Sequence, residues 1–313
     1  MPRFLVAGPI FMDIIPNGFS GFPDKGTERY VESISFSPGG QAIVAAVLAL
    51  LGEGVELAAS RGDDEAGAFL EGELARLGVG RRYLRVSEGA TAASLVFAYG
   101  GDRSFLTAAR RDAGLAGFTA GAVAEACSDG VDRVHVDIEL LRDPAVRRAC
   151  AAARAGGASI SVSVGYEEAA RWDELSWEIV AGVDTLFLNE SEAAMICGEG
   201  DVERCLALLR RRTALPVLTL GGEGCASIDE GGGSFRAAAR PARAVNACGA
   251  GDSFAAAFIC GLGRGLGRRE AAALAVEVGA LAVESPGSVP GGVSPALFDT
   301  ARGRAAARTG GSR

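Results

Sequence analysis

Residues 249–252 read Gly-Ala-Gly-Asp, and the apolar run FAAAFICGLG that follows predicts a buried helix over 254–263. The leading N–H groups of a helix have no internal partners, and the helix dipole makes that end mildly positive. Small residues there let an anion approach the amides closely. Gly249, Ala250 and Gly251 would thus cradle a phosphate, with Asp252 facing the same cavity. A carboxylate beside a bound anion makes chemical sense if it takes a proton from whatever attacks that anion. The four residues are a short pattern, and an acid at that place can also simply cap the helix. No Gly-Lys-Ser/Thr follows, as a Walker loop requires, and no GxGxxG follows the first strand.

The elements that must position these residues alternate along the chain. Short apolar runs at 3–8, 55–60, 133–138, 159–164, 185–189 and 216–221 suit buried parallel strands. Helical patterns lie between them at 41–51, 64–77, 118–127, 144–155, 190–197 and 201–212. That alternation predicts a three-layer α/β/α sandwich with right-handed crossovers. After 216–221, the runs GCASID and FRAAA around EGGGS predict an antiparallel meander before the last helices. Two regions break the alternation. Residues 10–36 end in the alternating RYVESISFS, and 92–107 form a hairpin with a YGGD turn. They predict a small separate sheet that could lie over a cleft as a lid, or else an ordinary edge hairpin. The expected organisation is one domain over 1–304, with the strand-rich insertions at about 10–36 and 92–107. A small, basic tail over 305–313 is expected to be disordered.

Bulk composition narrows the partners. The chain has 313 residues, 49% of them hydrophobic, and a net charge of −8, which argues against a nucleic-acid partner. A small phosphate needs only local amides and one or two cations. No apolar stretch reaches about 18 residues, so no membrane span is expected, and the opening run is too short and too early for a secretory signal. The seven cysteines are scattered without a CxxC and read as reduced thiols of a cytoplasmic protein. The single histidine, His135, lies in a strand pattern and reads as a packed residue, leaving no histidine-based metal site.

The Gly-Ala-Gly-Asp stretch resembles the second signature of the ribokinase-like, or PfkB, family of sugar and nucleoside kinases, DTxGAGD. SPGGQAIVAAVLALLG (37–52) looks like the first signature, LFLNESEAAMICG (186–198) like its NxxE segment, and LTLGGEGCASID (218–229) like its TxGxxG turn. The closing helices and PG turn match at 262–291. The resemblance therefore covers nearly the whole chain. It implies an ATP- and Mg²⁺-dependent kinase acting on an alcohol of a sugar, sugar derivative or nucleoside. Asp252 would be the general base, and the amides at Gly249, Ala250 and Gly251 the anion hole. Asn189 and Glu192 would help place Mg²⁺ and phosphates, with Glu192 as the metal-organising acid, and Thr219, Gly221 and Gly224 would line the nucleotide. Asp13 would hydrogen-bond acceptor hydroxyls, with Gly39 and Gly40 as the diglycine turn against the acceptor. Asp13 can also be read as a loop cap. The resemblance also implies a β-lid. Lids of this family often pair into homodimers, and SLVFAY is apolar enough to do so, although a monomer stays open.

Several family residues are replaced. Val44 stands where an acceptor-binding Asn is usual, which points to an acceptor site less polar than a typical ribokinase's and suits a nucleoside base. Asn246 and Ala247 replace the leading Asp-Thr, which puts monovalent-cation activation in doubt. The Asp usual after the middle strand is missing from SVSVGYEE, and Val276 replaces an Asn near the adenine. Arg103, Arg110 and Arg111 could bind a charged acceptor, although surface solvation accounts for most such residues. Beside a sugar kinase, the sequence leaves a nucleoside kinase and a non-catalytic metabolite sensor as rivals.

Overall fold

The computed structural model describes residues 3–99, 102–109 and 112–300. The tip of the YGGD turn, Arg110, Arg111 and the 305–313 tail lie outside the described residues. Strand β1 (Arg3–Ala7) leads into the hairpin β2 (Ile10–Asn17) and β3 (Ser33–Gly40), then helix α1 (Gln41–Leu50). Next come β4 (Gly54–Arg61), α2 (Glu65–Arg76), β5 (Leu84–Val86), β6 (Ala93–Tyr99), β7 (Asp102–Ala108) and α3 (Leu115–Ser128). The middle of the chain holds β8 (Arg133–Asp137), α4 (Pro144–Ala155), β9 (Ser159–Ser163), α5 (Tyr166–Ala170) and α6 (Glu174–Ala181). Then follow β10 (Thr185–Asn189), α7 (Glu190–Cys197), α8 (Val202–Leu209) and β11 (Pro216–Thr219). The last elements are β12 (Cys225–Ile228), β13 (Ser234–Ala237), α9 (Ala250–Gly263) and α10 (Arg268–Val283).

Nine strands form the main sheet in the order β13-β12-β11-β10-β9-β8-β1-β4-β5, and four form a second sheet, β3-β2-β6-β7. All six runs predicted as parallel strands pair in parallel in the main sheet, and β12–β13 form the expected antiparallel addition. The sheet core is dry: Phe4, Leu5, Leu57, Ile160 and Leu186 are fully buried, as strands covered on both faces must be. Helix α9 packs on both α1 and α10, while α3 packs on α4 and also contacts β1 and β4. The α1–α9 pair is tied at its far end, where Arg264 Nε donates to the buried Glu53 carboxylate at 2.5 Å and its other arm donates to Leu51 O at 2.9 Å. This clamp fixes the helices carrying the two glycine motifs against each other.

Three local readings change. The strand expected from Arg29 begins at Ser33 and continues through Pro38, Gly39 and Gly40. Pro38 is tolerated because β3 is an edge strand with one partner, β2, so a missing N–H breaks no second ladder. The helix expected from 254 starts at Ala250 and takes in the motif itself. Helices α5 and α6 are additions; α6 starts at a capping box in which Asp173 and Ser176 bond each other's backbone N–H. Among the described residues no helix is long and apolar enough to cross a membrane. All seven cysteines are free.

Candidate active site

The sequence reason for each position is local. Parallel strands run out at the same edge of the sheet, so residues just past their C-terminal ends converge there. Asn189 and Thr219 end β10 and β11 and are direct ladder partners. The glycines at 221 and 224 bound the tight turn that follows β11, both with positive φ. Asn189 also caps α7: its Oδ1 accepts from Glu192 N at 2.8 Å, and Glu192 Oε2 accepts from Asn189 N at 2.7 Å. The Asn-x-x-Glu pattern is thus a capping box. Among the described residues it leaves Glu192 Oε1 without a hydrogen bond, on a carboxylate that burial pushes up to about 7.

Gly249 takes the left-handed conformation (φ 74°) ahead of α9 and has no side chain to cap it. The N–H of Ser253 bonds Gly249 O at 2.8 Å, whereas that of Ala250 makes only a 3.5 Å contact with Ala247 O. Asp252 occupies the third helical position, half-buried, and among the described residues its carboxylate makes no hydrogen bond. The capping alternative for Asp252 therefore has no hydrogen bond to support it. Burial raises this carboxyl to about 6, against the attraction of Arg103, with Asp13 raising it further.

Asp13 lies on the small sheet. Direct ladder partners share a face, which puts Ser37, Asp13, Ser94 and Thr107 in one row across its four strands. Arg103, four residues from Thr107 on β7, projects from that same face by strand periodicity. Ile15 and Val96 of this face pack on Cys248, which precedes the Gly-Ala-Gly-Asp loop. The small sheet is thereby applied to the site. Asp13 is almost fully buried and is held by residues far along the chain: Ser288 Oγ donates to Oδ2 at 2.5 Å, and Cys248 Sγ lies 3.6 Å from the same oxygen. Ser37 Oγ accepts the N–H groups of Ser288 and Val289 at 3.0 and 3.2 Å, locking the closing turn onto the sheet. Burial lifts Asp13 to about 6, with the Ser288 hydrogen bond opposing it. Burial also pushes the Cys248 thiol up to about 12, so it packs rather than reacts.

Gly39 is where it is because Asp13 is. A Cβ there would stand 2.3 Å from Asp13 Oδ1 and 2.5 Å from its Cγ. On the acceptor role that the resemblance implies for Asp13, Gly39→Ala should displace that carboxylate and raise the acceptor KM by about ten-fold or more while the KM for ATP holds. Steady-state kinetics with each substrate varied in turn checks this; a rise in both constants would show a general collapse.

The structure thus brings Asp13, Gly39, Asp252 and Glu192 to one edge, with charge coupling of Asp252 to both Asp13 and Glu192. The expectation for Val44 is corrected. Val44 is completely buried inside α1's core contacts, so it neither depolarises an acceptor site nor receives a base. Val276, too, is a buried residue of α10. Asn246 is almost fully buried and accepts from Cys248 N at 2.9 Å, which shapes the loop ahead of the glycines. His135 is packed as expected: fully buried, its Nδ1 3.0 Å from Ser161 Oγ, with burial lowering it to about 4. Ser288, Gln41 and Asp137 were not singled out by sequence; only the SPGSVPG turn, read as a family feature, gave any signal for Ser288.

A three-layer sandwich with a second sheet at its carboxyl edge and an uncapped glycine helix start defines the ribokinase type of kinase fold. The chain belongs to the pfkB family of carbohydrate kinases, which it matches over residues 5–294, and it is a phosphotransferase. It is 28% identical over 209 residues to the fructoselysine 6-kinase of Shigella flexneri, covering 66% of this chain and 73% of that protein. It is 37% identical over 116 residues to the cytidine kinase of Thermococcus kodakarensis, 36% of this chain and 41% of that one. Its fold superposes with a TM-score of 0.81 on an E. coli protein described as a ribokinase II in complex with ATP and Mg²⁺, at 23% identity over 97% of this chain and 100% of that one.

Proposed function

We propose that this kinase transfers the γ-phosphoryl group of ATP to an alcohol of a sugar or sugar derivative, with Asp252 as general base. The observation that carries the reading is the unbonded Asp252 carboxylate at an uncapped helix start, charge-coupled to the acceptor-side Asp13. The free amides at Gly251 and Asp252, with that of Ala250, receive the moving phosphoryl group, and Asp252 removes the acceptor's hydroxyl proton. Asp13 accepts from a neighbouring acceptor hydroxyl, and Gly39 and Gly40 let the acceptor reach the backbone. Asn189, Thr219, Gly221 and Gly224 line the nucleotide. Arg103 supplies positive charge from the small sheet, which acts as a lid on the single domain.

The residues fit Mg²⁺ held indirectly. The Glu192 oxygens are hard donors suited to it, but among the described residues no three His, Cys, Asp or Glu side chains converge as a metal cluster. Glu192 would orient its waters, and the ion, when bound with ATP, neutralises phosphate charge. The outer face of the lid carries the apolar ladder row Phe36, Ile14, Leu95 and Leu106, of which Phe36, Leu95 and Leu106 are exposed; a second copy covers it in our reading. The reduced thiols suit a cytoplasmic location.

A nucleoside acceptor is the second reading, favoured by the match to a cytidine kinase. The test is ATP-to-ADP turnover with Mg²⁺ across sugars, sugar acids, polyols and nucleosides. Turnover confined to one class names the acceptor, and ATP binding without any turnover would make the chain a sensor. The base must be ionised to act, and burial holds it at about 6. The rate kcat/KM should therefore fall about ten-fold per unit below pH 6. A flat profile from pH 5 to 8 would remove Asp252 from that role.

A further inference from the structure

We propose that Ser288 is a positioning residue of the transfer: its hydroxyl holds Asp13 in register with the glycine cradle ahead of α9, so that the acceptor is aimed at that cradle. The inference rests on the kinase reading above, in which Asp13 meets an acceptor hydroxyl, and adds the residue that sets how it does so. Ser288 is completely buried in the closing turn after α10, yet each of its polar groups reaches a different part of the site. Its hydroxyl donates to Asp13 Oδ2 at 2.5 Å. Its N–H donates to Ser37 Oγ of β3 at 3.0 Å. Its carbonyl oxygen lies so near Gly249 that a Cβ there would stand 2.3 Å away. One residue thus touches the small sheet on one side and the start of α9 on the other.

The turn that carries Ser288 is braced. Ser285 Oγ donates to Leu281 O at 2.9 Å and accepts from Gly291 N at 2.9 Å, which ties both ends of the turn to the end of α10. Gly287 lets the turn come close to the sheet, since a Cβ there would stand 3.3 Å from Ser37 Oγ. A hydroxyl has one proton to give. The Asp13 carboxylate takes it, because a charged acceptor makes the stronger bond. Cys248 Sγ, 3.3 Å from Ser288 Oγ and 3.6 Å from Asp13 Oδ2, closes the same corner. The bond commits Oδ2 and leaves Oδ1, which makes no hydrogen bond among the described residues, for the acceptor. Ser288 therefore decides which oxygen of Asp13 the acceptor meets. Without the hydroxyl the carboxylate stays buried but loses its oxygen donor, and nothing then fixes which of its two oxygens points at the acceptor.

The test is steady-state kinetics on the full chain, each substrate varied in turn. The acceptor is whichever of fructose, ribose, gluconate, sorbitol, cytidine and adenosine the parent turns over with the highest kcat/KM. Ser288→Ala should raise the acceptor KM about ten-fold, with the KM for ATP within about two-fold of the parent's. Ser288→Thr keeps the donor and should hold the acceptor KM within about three-fold. In the Asp13→Ala background, Ser288→Ala should change kcat/KM by less than about two-fold, because the hydroxyl then has no carboxylate to hold. That double-variant comparison decides even where the buried threonine is crowded. An equal loss in both backgrounds, or a rise in both KM values, would make Ser288 a structural residue and overturn the proposal. An unchanged acceptor KM in Ser288→Ala would also overturn it, and would leave the kinase reading standing. No turnover of any of the six by the parent would instead overturn the kinase reading, and this role with it.

Discussion

Asp252→Asn should leave the protein folded and able to bind ATP, and lower kcat by about 10³-fold, within the range of lost general-base catalysis. The substitution keeps the shape of the side chain and removes its ability to take a proton. No structural hydrogen bond is lost, because the Asp252 carboxylate makes none among the described residues. The native protein holds this group at about 6, above the ordinary carboxylate value of 3.8. Folding therefore disfavours the ionised form between those two values and above, and the neutral amide removes that cost. The melting temperature at pH 7 should stay level or rise while turnover collapses. The two readings move in opposite directions, which separates a chemical role from a structural one. Turnover within ten-fold of the parent would sink the assignment.

Gly249→Ala should damage activity and stability together. Residue 249 sits at φ 74°, where a side chain is strained, and an added Cβ would stand 2.3 Å from Ser288 O and 3.0 Å from Ile43 Cδ1. The first contact is with backbone and cannot be relieved by rotating a side chain. Ser288 is also the residue whose hydroxyl holds Asp13. One methyl group would thus tilt the start of α9, whose amides face the phosphoryl group in the proposed reaction, and push on the support of the Asp13 carboxylate. A loss of about 2–3 kcal/mol in stability is expected from the strain and overpacking. A fall of about 10²-fold or more in kcat/KM matches the loss of one well-placed anion donor. Gly251→Ala is the control, since nothing lies within 4 Å of its added Cβ. That variant should fold normally, so any loss of its turnover reports room needed by the ligand. If Gly249→Ala melted and turned over like the parent, the site would not depend on this close approach.

Several carboxyls stand close together at one edge: Asp13 and Asp252 at about 6, Glu192 and Asp137 at about 7. In each, burial is the main cause. Such a collection suits a site meant for hydroxyl donors and a phosphate-bound metal, since each offsets buried negative charge.

Much of this was legible in the chain because it depends on near neighbours. Parallel strands declared themselves as short apolar runs, and the glycine turn before α9 and the cap pairing Asn189 with Glu192 depend on residues within four positions of one another. Other features were not legible. Asp13 is gripped from 275 residues away by Ser288 and from 235 away by Cys248, and no local pattern encodes such a partnership. Val44 carries the same residue type whether it faces a ligand or the core; only the packing of α1 against its neighbours turned it inward. Gln41 and Asp137 both close on Gly8 because β8 pairs in parallel with β1 and the Gln41 N–H bonds Pro9 O at 3.0 Å just beyond it. The sequence by itself determined the layers, the order of motifs and the residues fit to handle a phosphoryl group, because these follow from periodicity and from backbone chemistry over a few residues. Tertiary structure alone decided which polar groups are buried together, and hence their charge states and the side of the acceptor each would meet, because desolvation and Coulomb interaction depend on distance in space and not on distance along the chain.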